Sequence, residues 1–305
     1  MKSIENIYID LTKNIKKTNV LKNELMSNHT SFKIGGPVDI LVEPGTIEEI
    51  KYAVDYCRKE GIEFYIFGNG SNILIKDSGI RGVVIKLSDN FNKVTIDENK
   101  VNAESGILLS RLSKIIMKEE LEGFEFASGI PGTLGGAITM NAGAYGGEIK
   151  HCVTGAKVLN RKGEIVYLNN EQLDFGYRKS TVQKEGYIVL EVDMEFKRGS
   201  YEKIKMITDD LTKKRTSKQP LHLPSAGSTF KRPPGYYAGK LIDDAGLRGV
   251  RVGDAMVSDK HCGFIVNVGN ATSEDVLNLI KLVQKVVKDK FDVDLETEVK
   301  IIGAK

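Results

Sequence analysis

The sequence predicts a mixed α+β fold. Three features support this prediction: apolar residues recur at helical spacing in several segments, apolar runs of strand length lie between them, and two glycine-rich turns interrupt the first two-thirds of the chain. The 305 residues suffice for a full core and for two or more domains. Gly199 and Ser200 mark a boundary before a smaller C-terminal unit.

Helical spacing of apolar residues predicts six helices. The second is the best defined, because Thr46 and Glu49 form the pattern of a capping box and Gly61 supplies a C-terminal stop. The fourth is polar and collects basic residues at its end, where the helix dipole favours them. The six predicted helices span residues 4–15, 47–60, 107–118, 201–218, 236–245 and 273–290.

Shorter apolar runs predict the strands. Two hairpins are expected, one turning at Glu98 and Asn99 and one over residues 161–163. Segments 128–148 and 220–230 are rich in small residues and are predicted as irregular backbone. The predicted strands span residues 38–42, 62–67, 73–75, 83–87, 94–96, 101–103, 152–159, 165–168, 188–196, 263–268 and 295–302.

The segment 123–147 is the densest in glycine. It holds eight glycines in 25 residues, against 31 in the whole chain of 305. Because glycine loses the most backbone entropy on folding, such density favours backbone that turns sharply or lies against something. Leu134, Ile138 and Met140 lie among the glycines, so the segment is not a flexible linker. We expect ordered backbone around a ligand.

The first glycine-rich turn of the chain, residues 68–72, follows the predicted strand 62–67. A glycine-rich turn after a strand is the usual setting for phosphate held by main-chain amides. The turn lacks the third glycine of the dinucleotide fingerprint, since residue 73 is Ile, and it lacks the lysine of a P-loop. A phosphate-binding turn of another fold and a plain turn both remain open.

Composition excludes several classes of function. The chain carries 44 basic and 41 acidic residues, a net charge of +3, with no basic patch interleaved with aromatics, so nucleic-acid binding is not indicated. Three scattered cysteines and four histidines without metal-ligand spacing predict neither a disulfide framework nor a metal site. The N-terminal residues lack an apolar signal region and no apolar run has transmembrane length, so we expect a cytoplasmic protein without membrane insertion.

Three polar residues lie where folding alone does not require them. Arg178 lies between two predicted strands and could hold a carboxylate through two hydrogen bonds, although a surface salt bridge is the alternative. Ser228 lies in a small-residue loop that would leave its hydroxyl accessible, although serine is also a common turn residue. Glu298 shares a strand face with Glu296 and Lys300 by alternation, which also fits a solvated face.

Six motifs, taken together, resemble one family. From about residue 30 to the C-terminus, in this order and register, the chain resembles the UDP-N-acetylenolpyruvoylglucosamine reductases, also called UDP-N-acetylmuramate dehydrogenases. The short C-terminal region resembles the compact form of the family, which lacks an inserted segment that covers the substrate. The motifs are GNGSN (68–72), SGIPGTLGGA (128–137), MNAGAYGGE (140–148), YRKS (177–180), AGSTF (226–230) and LETEV (295–299).

The resemblance implies a two-subdomain FAD-binding fold of the vanillyl-alcohol-oxidase type with a C-terminal α+β substrate-binding domain. It divides the chain into an N-terminal helix and lead-in (1–29), an FAD-binding region (30–198, with subdomains of about 30–90 and 91–198) and the substrate domain (199–305). Both glycine-rich segments would hold non-covalent FAD. The implied FAD-binding residues are Gly68, Asn69, Gly70, Ser71, Asn72, Gly129, Ile130, Pro131, Gly132, Thr133, Gly135, Gly136, Ala137, Asn141 and Gly143.

The resemblance also implies a reaction in two halves. NADPH reduces FAD and leaves, and the enolpyruvyl UDP-sugar then accepts hydride and a proton in peptidoglycan precursor synthesis, which serves cell wall biogenesis and hence cell shape, cell cycle and division. Arg178 would bind the substrate carboxylate, Glu298 would polarise the same system, and Ser228 would donate the proton. The implied substrate-binding residues are Lys218, Arg215, Arg232 and Tyr145. At position 232 the family often carries an amide, so the arginine is a departure.

Two other functions remain possible from the residues. One is an FAD-dependent oxidase or dehydrogenase of the same wider fold that acts on an alcohol or hydroxy acid. The other is a nucleotide-binding module without catalysis, although such a module need not keep Arg178, Ser228 and Glu298. For the reductase we expect a monomer whose partners are NADPH and the UDP-sugar.

Overall fold

The computed structural model describes residues 2–304. The α-helices are α1 (Ile4–Leu11), α2 (Ile47–Glu60), α3 (Leu109–Lys118), α4 (Leu134–Met140), α5 (Thr181–Glu185), α6 (Tyr201–Lys218), α7 (Ala238–Asp244) and α8 (Ser273–Phe291). The strands are β1 (Val20–Leu25), β2 (Pro37–Val42), β3 (Phe64–Phe67), β4 (Ile73–Ile75), β5 (Ile80–Lys86), β6 (Val94–Asp97), β7 (Lys100–Glu104), β8 (Leu121–Glu122), β9 (Gly143–Ala144), β10 (Gly147–Glu148), β11 (Val153–Leu159), β12 (Ile165–Asn169), β13 (Ile188–Glu195), β14 (Lys197–Arg198), β15 (Ser225–Ser228), β16 (Arg251–Val252), β17 (Ala255–Val257), β18 (Phe264–Asn267) and β19 (Lys300–Ile302).

The chain forms two compact units that interleave in sequence. The first unit contains residues 1–22, 40–69 and 83–215, and the second contains residues 23–39, 70–82 and 216–305. These units are not the division expected from the resemblance, because two short N-terminal segments belong to the unit that holds the C-terminal region. The functional division into an FAD region and a substrate domain stays a prediction.

The largest sheet of the first unit has five strands. A five-stranded antiparallel sheet has the order β12-β11-β13-β7-β6, and a four-stranded sheet has the order β1-β2-β5-β3, in which β3 and β5 run parallel. One core includes side chains of α3, α4 and the five-stranded sheet, among them Leu112, Ile138 and Val192. A second core joins α1 and α2 through residues such as Leu11 and Val54.

The second unit is organised around an antiparallel sheet of order β15-β18-β17-β16. The apolar stripe of α8, with Val276, Leu279 and Val283 fully buried, contributes to its core together with α7. β19 pairs in parallel with β4, so Lys300 lies opposite Ile73. This pairing brings the C-terminal segment next to the strand that follows the first glycine-rich turn.

Most predicted elements are confirmed, with corrected ends. Helix 201–218 is found with the predicted bounds, and both predicted hairpins form. The first helix ends at Leu11, so Ile15 is buried outside it. The capping box of α2 is only half formed: Thr46 accepts from the amide of Glu49, whereas the Glu49 carboxylate accepts from the amide of Gly45 at 2.7 Å.

Three predictions about irregular or extended segments are wrong. Segment 128–148 contains helix α4, and segment 220–230 contains strand β15, because packing against the core and pairing with β18 override weak local signals. The predicted strand 295–302 is regular only in β19. The strands β1, β16 and β17 and the helix α5 were not predicted.

Candidate active site

The two glycine-rich segments meet in the first unit. The side-chain amide of Asn69 donates a hydrogen bond to the carbonyl oxygen of Pro131 at 2.6 Å. A Cβ atom on Gly68 would overlap the hydroxyl of Thr133. Glycine is therefore required at position 68 by the contact between the two loops, which a ligand-based interpretation of the sequence did not foresee.

The start of α4 presents main-chain amides suited to an anion. Within residues 2–304, the amides of Gly132, Thr133 and Gly136 donate to no other group, whereas the amide of Gly135 donates to the carbonyl oxygen of Ser105 at 2.8 Å. A Cβ atom added to Gly136 would have only the Thr133 hydroxyl, at 3.7 Å, within 4 Å. Unpaired amides at the start of a helix attract phosphate and carboxylate groups.

Arg215 adds a positive charge beside this segment. Its Cδ atom would lie 2.9 Å from a Cβ on Gly129, so the arginine packs directly over that glycine. The Nε atom is buried and makes no hydrogen bond to any group of residues 2–304. Burial lowers the pKa of the Arg215 guanidinium, and Tyr145 opposes this shift. A buried donor left unpaired costs about 1–3 kcal/mol, so the arrangement fits an anionic ligand.

Tyr145 stands at the tip of the β9–β10 hairpin. Tyr145 and Gly146 have φ angles of 53° and 88°, the two left-handed residues of a type I′ turn. The turn leaves the Tyr145 side chain 48% exposed. A Cβ on Gly147 would overlap the ring of Phe126, and one on Gly143 would lie 2.6 Å from the carbonyl oxygen of Gly147. These glycines are required by the protein's own packing.

The remaining predicted cofactor residues of this segment also contact the protein. Ala137 is buried in the core, and the amide of Ile130 donates to the carbonyl oxygen of Ala127 at 3.0 Å. Asn141 is buried, with its side chain hydrogen-bonded to other parts of the first unit. Any contact of Asn141 with a cofactor would therefore use its main chain.

Arg178 lies in a tight turn between β12 and α5. The amide of Gly176 donates to the carbonyl oxygen of Lys179 at 3.0 Å, and the amide of Lys179 returns a bond at 3.3 Å. Arg178 takes a left-handed conformation with φ of 55°, which costs a non-glycine residue about 1–2 kcal/mol. Its guanidinium carbon lies 5.7 Å from the centre of the Tyr177 ring. A half-buried arginine held in a strained turn is typical of a functional position.

Ser228 ends strand β15 in the second unit. Ser225 pairs with Val266 and Ser228 with Phe264, so β15 advances by one residue more than β18. The extra residue forms a bulge at Gly227, whose φ is 75°. A bulge of this kind redirects the side chain that follows it. Ser228 thus lies at a strand end and not in the predicted loop.

Glu298 is fixed through its main chain beside Ser228. Its amide donates to the carbonyl oxygen of Thr229 at 2.8 Å, and its carbonyl oxygen accepts from the side chain of Asn72 at 3.3 Å. Phe230 and Thr297 form the adjoining β-bridge. The second unit therefore brings together Ser228 and Glu298, two of the three predicted catalytic residues, with Asn72 of the first glycine-rich turn.

Ser31 connects the same turn to β15 and was missed in the sequence. Its hydroxyl donates to the carbonyl oxygen of Ser225 at 2.7 Å, and its amide donates to the carbonyl oxygen of Gly70 at 3.2 Å. A Cβ on Gly70, whose φ is 61°, would overlap the carbonyl oxygen of His29. The neighbouring Ser71 is half-buried. No local signal distinguishes Ser31 from other serines.

Two of the three basic residues predicted to bind substrate, Lys218 and Arg232, lie in the second unit. Lys218 is the exposed last residue of α6. Arg232 stacks on Tyr237, with 4.0 Å between the guanidinium carbon and the ring centre, and its Nε donates to the carbonyl oxygen of Tyr236 at 3.3 Å. Tyr237 is 60% exposed, so the pair lies at the surface of the unit.

Residues 2–304 contain neither a cluster of metal ligands nor a helix suited to crossing a membrane. No group of three or more His, Cys, Asp or Glu side chains in that range could hold a metal ion. None of the helices in the same range combines the length and the apolar character needed to cross a membrane.

Comparison with known proteins places the two halves of the chain in named families. A family model described as "FAD binding domain" matches residues 38–169. A second, described as "UDP-N-acetylenolpyruvoylglucosamine reductase, C-terminal domain", matches residues 219–302. The matches agree with the expected α+β fold of an FAD-binding region and a C-terminal domain.

Individual relatives match over nearly the full chain. The UDP-N-acetylenolpyruvoylglucosamine reductase of Alkaliphilus oremlandii is 59% identical over 97% of both chains, and that of Clostridioides difficile is 54% identical over 98% of both. The crystal structure of the Thermus caldophilus reductase superposes with a TM-score of 0.79 at 36% identity, covering 91% of this chain and 97% of that one. This chain therefore belongs to the UDP-N-acetylenolpyruvoylglucosamine reductase family.

Proposed function

We propose that this chain reduces the enolpyruvyl group of UDP-N-acetylglucosamine enolpyruvate to UDP-N-acetylmuramate, with FAD as cofactor and NADPH as hydride donor. The family membership supports the reaction type. The observation that carries the proposal for this chain is the main-chain hydrogen bond between Glu298 and Thr229, the residue after Ser228. It holds the backbones of Glu298 and Ser228 close together, and a carboxyl and a hydroxyl group suit the same proton and charge chemistry.

The residues of the first unit fit FAD. Three unpaired amides at the start of α4 and the buried Arg215 offer hydrogen bonds and positive charge to a pyrophosphate, and Gly136 leaves space for it. We propose that residues 68–72 and 129–137 hold the pyrophosphate, with Asn141 and Gly143 contributing main chain along the ring system. FAD, when bound, supplies the hydride that it receives from NADPH to the terminal vinyl carbon of the substrate.

Arg178 is proposed to bind the carboxylate of the enolpyruvyl group. As hydride reaches the vinyl carbon, negative charge develops on the adjacent carbon and spreads into the carboxylate. A guanidinium held in a closed turn can stabilise that charge without first changing its position. Such preorganised groups are often the largest contribution to catalysis. Glu298 is proposed to polarise the same group, as a neutral acid or through hydrogen bonding.

Ser228 is proposed to donate the proton to the carbon that carries the developing charge. The bulge at Gly227 redirects its side chain, and the Glu298 segment lies directly beside it. A serine hydroxyl is a weak acid, so its alkoxide needs stabilisation by neighbouring groups.

The UDP-sugar diphosphate requires cations. We propose Lys218, Arg215, Arg232 and Tyr145 as its binding residues. The stacking of Arg232 on Tyr237 supports this proposal, because it holds the guanidinium at the surface of the unit. The arginine carries a charge that the amide often found at this place in the family lacks, so its diphosphate contact would be ionic.

The wider setting follows from the reaction. We propose a cytoplasmic monomer that acts in peptidoglycan synthesis, and through it in cell wall biogenesis, cell shape, cell cycle and cell division. Residues 30–198 would act as the FAD-binding region and residues 199–305 as the substrate domain.

The visible absorption spectrum tests this function directly. Purified protein, loaded with FAD, should show a flavin spectrum that NADPH bleaches and the enolpyruvyl UDP-sugar restores under anaerobic conditions. A protein that cannot be loaded with FAD would overturn the proposal. Bleaching by an alcohol or hydroxy acid without NADPH, with restoration by oxygen and not by the UDP-sugar, would indicate an oxidase or dehydrogenase instead.

A further inference from the structure

Asn141 occupies an unusual position at the end of α4. It is 3% exposed, and its φ of 43° is the left-handed conformation of a helix C-cap. Asparagine tolerates this conformation better than most residues, but the short, buried side chain still needs partners. Its side chain finds them in two other chain segments, residues 148–150 and the turn at Gly176.

The side chain of Asn141 connects α4, the β10 strand and the Arg178 turn. Nδ2 donates to a carboxylate oxygen of Glu148 at 2.9 Å and to the carbonyl oxygen of Gly176 at 3.2 Å. Oδ1 accepts from the amide of Lys150 at 3.2 Å. Three of its four possible hydrogen bonds are thus made within the protein.

Gly176 is one end of the turn that carries Arg178. The turn is closed by the pair of main-chain bonds between Gly176 and Lys179, so its position depends on what holds these ends. On the far side, the hydroxyl of Ser180 donates to the carbonyl oxygen of Thr139 at 2.8 Å. The turn is therefore tied to the last residues of α4 at both ends.

We propose that Asn141 is a positioning residue, which acts through Gly176 to hold the Arg178 guanidinium where the substrate carboxylate binds. The inference rests on the proposed function for the role of Arg178. Glu148 completes the arrangement, because its carboxylate accepts from Nδ2 and so fixes which end of the Asn141 amide faces Gly176. Hydrogen bonding to Lys150, and then to Asn141, holds the pKa of Glu148 below its ordinary value, so this acceptor is ionised at neutral pH.

The main test replaces Asn141→Asp in the FAD-loaded protein. The change keeps the size of the side chain but removes both donors and places a carboxylate against Glu148. Flavin content and the rate of flavin reduction by NADPH should stay within about twofold of the starting protein. Reoxidation by the enolpyruvyl UDP-sugar should slow by about 10- to 100-fold, the scale expected for misplacing a catalytic group by about 1 Å.

A matched control is Asn170→Asp. Asn170 is half-buried in the first unit, and its Nδ2 donates to the carbonyl oxygens of Lys150 and Val153, but no hydrogen bond joins its side chain to the turn at residues 176–179. This variant should leave both half-reactions unchanged. If Asn170→Asp slows reoxidation as much as Asn141→Asp, a general loss of rigidity in the first unit explains the effect and the inference fails.

A double variant tests whether Asn141 acts through Arg178 or independently of it. If Asn141 acts through Arg178, the double variant Asn141→Asp/Arg178→Lys should be no slower in reoxidation than Arg178→Lys alone, within about twofold. Multiplying effects would overturn the inference. Loss of FAD, or equal slowing of both half-reactions, would assign the Asn141 side chain to the cofactor and would also overturn it.

A second variant keeps the inference testable if Asn141→Asp does not fold. Ser180→Ala removes the other hydrogen bond between the turn and α4. This variant should also slow reoxidation, and it should cause no further slowing when combined with Arg178→Lys. A Ser180→Ala protein that slows both half-reactions would contradict the inference. The starting protein distinguishes failure of the proposed function from failure of this inference. If the UDP-sugar does not reoxidise its reduced flavin, the proposed function fails, whatever the variants do.

Discussion

The main-chain amide of Glu298 donates a hydrogen bond to the carbonyl oxygen of Thr229 at 2.8 Å, which fixes Glu298 beside the residue that follows Ser228. The carbonyl oxygen of Glu298 is held by Asn72 at 3.3 Å. Both anchors use the main chain, so they persist when the side chain is replaced. The two side chains can therefore be tested one at a time.

Replacing Ser228→Ala should separate the two half-reactions. Without the hydroxyl the carbanionic carbon has no proton donor, so reoxidation of the flavin by substrate should slow by about 10²–10⁴-fold, the usual contribution of general acid catalysis. Reduction by NADPH should stay nearly intact. Stopped-flow absorbance measures both rates. Ser225→Ala, in the same strand, is the control and should change neither; equal loss in both half-reactions of Ser228→Ala would contradict the role.

Replacing Glu298→Gln should also act on the second half-reaction. The amide keeps the size of the side chain but cannot act as a carboxylic acid, so reoxidation should slow by at least about tenfold, in line with the loss of one stabilising group. The main-chain anchors of the segment persist in this variant. Glu296→Gln is the control, because the Glu296 carboxylate is 74% exposed and only pairs with Lys231 at 2.9 Å. A Glu298→Gln enzyme as fast as the starting protein would remove Glu298 from the mechanism.

The fold was predictable where local signals are strong. α2 begins after a Thr cap and ends at a left-handed Gly61, and α8 carries an unbroken apolar stripe, so their ends were nearly correct from sequence. α4 could not be predicted, because glycines oppose a helix and only the burial of Leu134, Ala137 and Ile138 against the core favours it. Tertiary packing decides such segments.

The site was predictable as a set of residues but not as an arrangement. Arg178, Ser228 and Glu298 were recognised from motifs, yet nothing local indicates that β19 pairs with β4 and so brings Asn72 to Glu298. The glycine-rich segments were interpreted as wrapped around a ligand. The structure assigns Gly68 to a contact between loops and leaves Gly136 open, a difference that depends on distant side chains.

That difference between glycines gives a test of where FAD binds. Gly136→Ala places a methyl group in open space at the start of α4, so the flavin-free protein should be stabilised by up to about 1 kcal/mol through helix propensity. If the pyrophosphate lies against Gly136, FAD affinity should fall by at least about tenfold, the equivalent of 1.4 kcal/mol. Thermal unfolding of the flavin-free protein and a fluorescence titration with FAD measure the two effects.

Gly68→Ala is the contrasting variant. Its Cβ would overlap the Thr133 hydroxyl, so the flavin-free protein itself should be destabilised, and adding Thr133→Ala should recover part of the loss. Unchanged FAD affinity in Gly136→Ala would mean that the pyrophosphate does not use this part of the segment.

Asp10 gives a prediction on stability and pH. Its carboxylate accepts hydrogen bonds from Lys13 at 2.6 Å, Lys2 at 2.9 Å and Tyr56 at 3.0 Å, which ties α1 to α2. These bonds, that of Lys13 first, hold the pKa of Asp10 well below its ordinary value of about 3.9. Because the folded pKa is the lower one, the stabilisation is complete above pH of about 5 and is lost as pH falls towards the folded pKa.

Asp10→Asn should therefore lower the thermal midpoint at pH 7 and leave a smaller difference from the starting protein at pH 3, where the unfolded carboxyl is already protonated. Calorimetry or circular dichroism melts at both values measure the difference. Asp55→Asn is the control: Asp55 pairs with Lys51 four residues earlier on the exposed side of α2, and such surface pairs contribute at most about 0.5 kcal/mol. A difference for Asp10→Asn that stays constant from pH 7 to pH 3 would show that the ionised carboxylate is not what holds α1 in place.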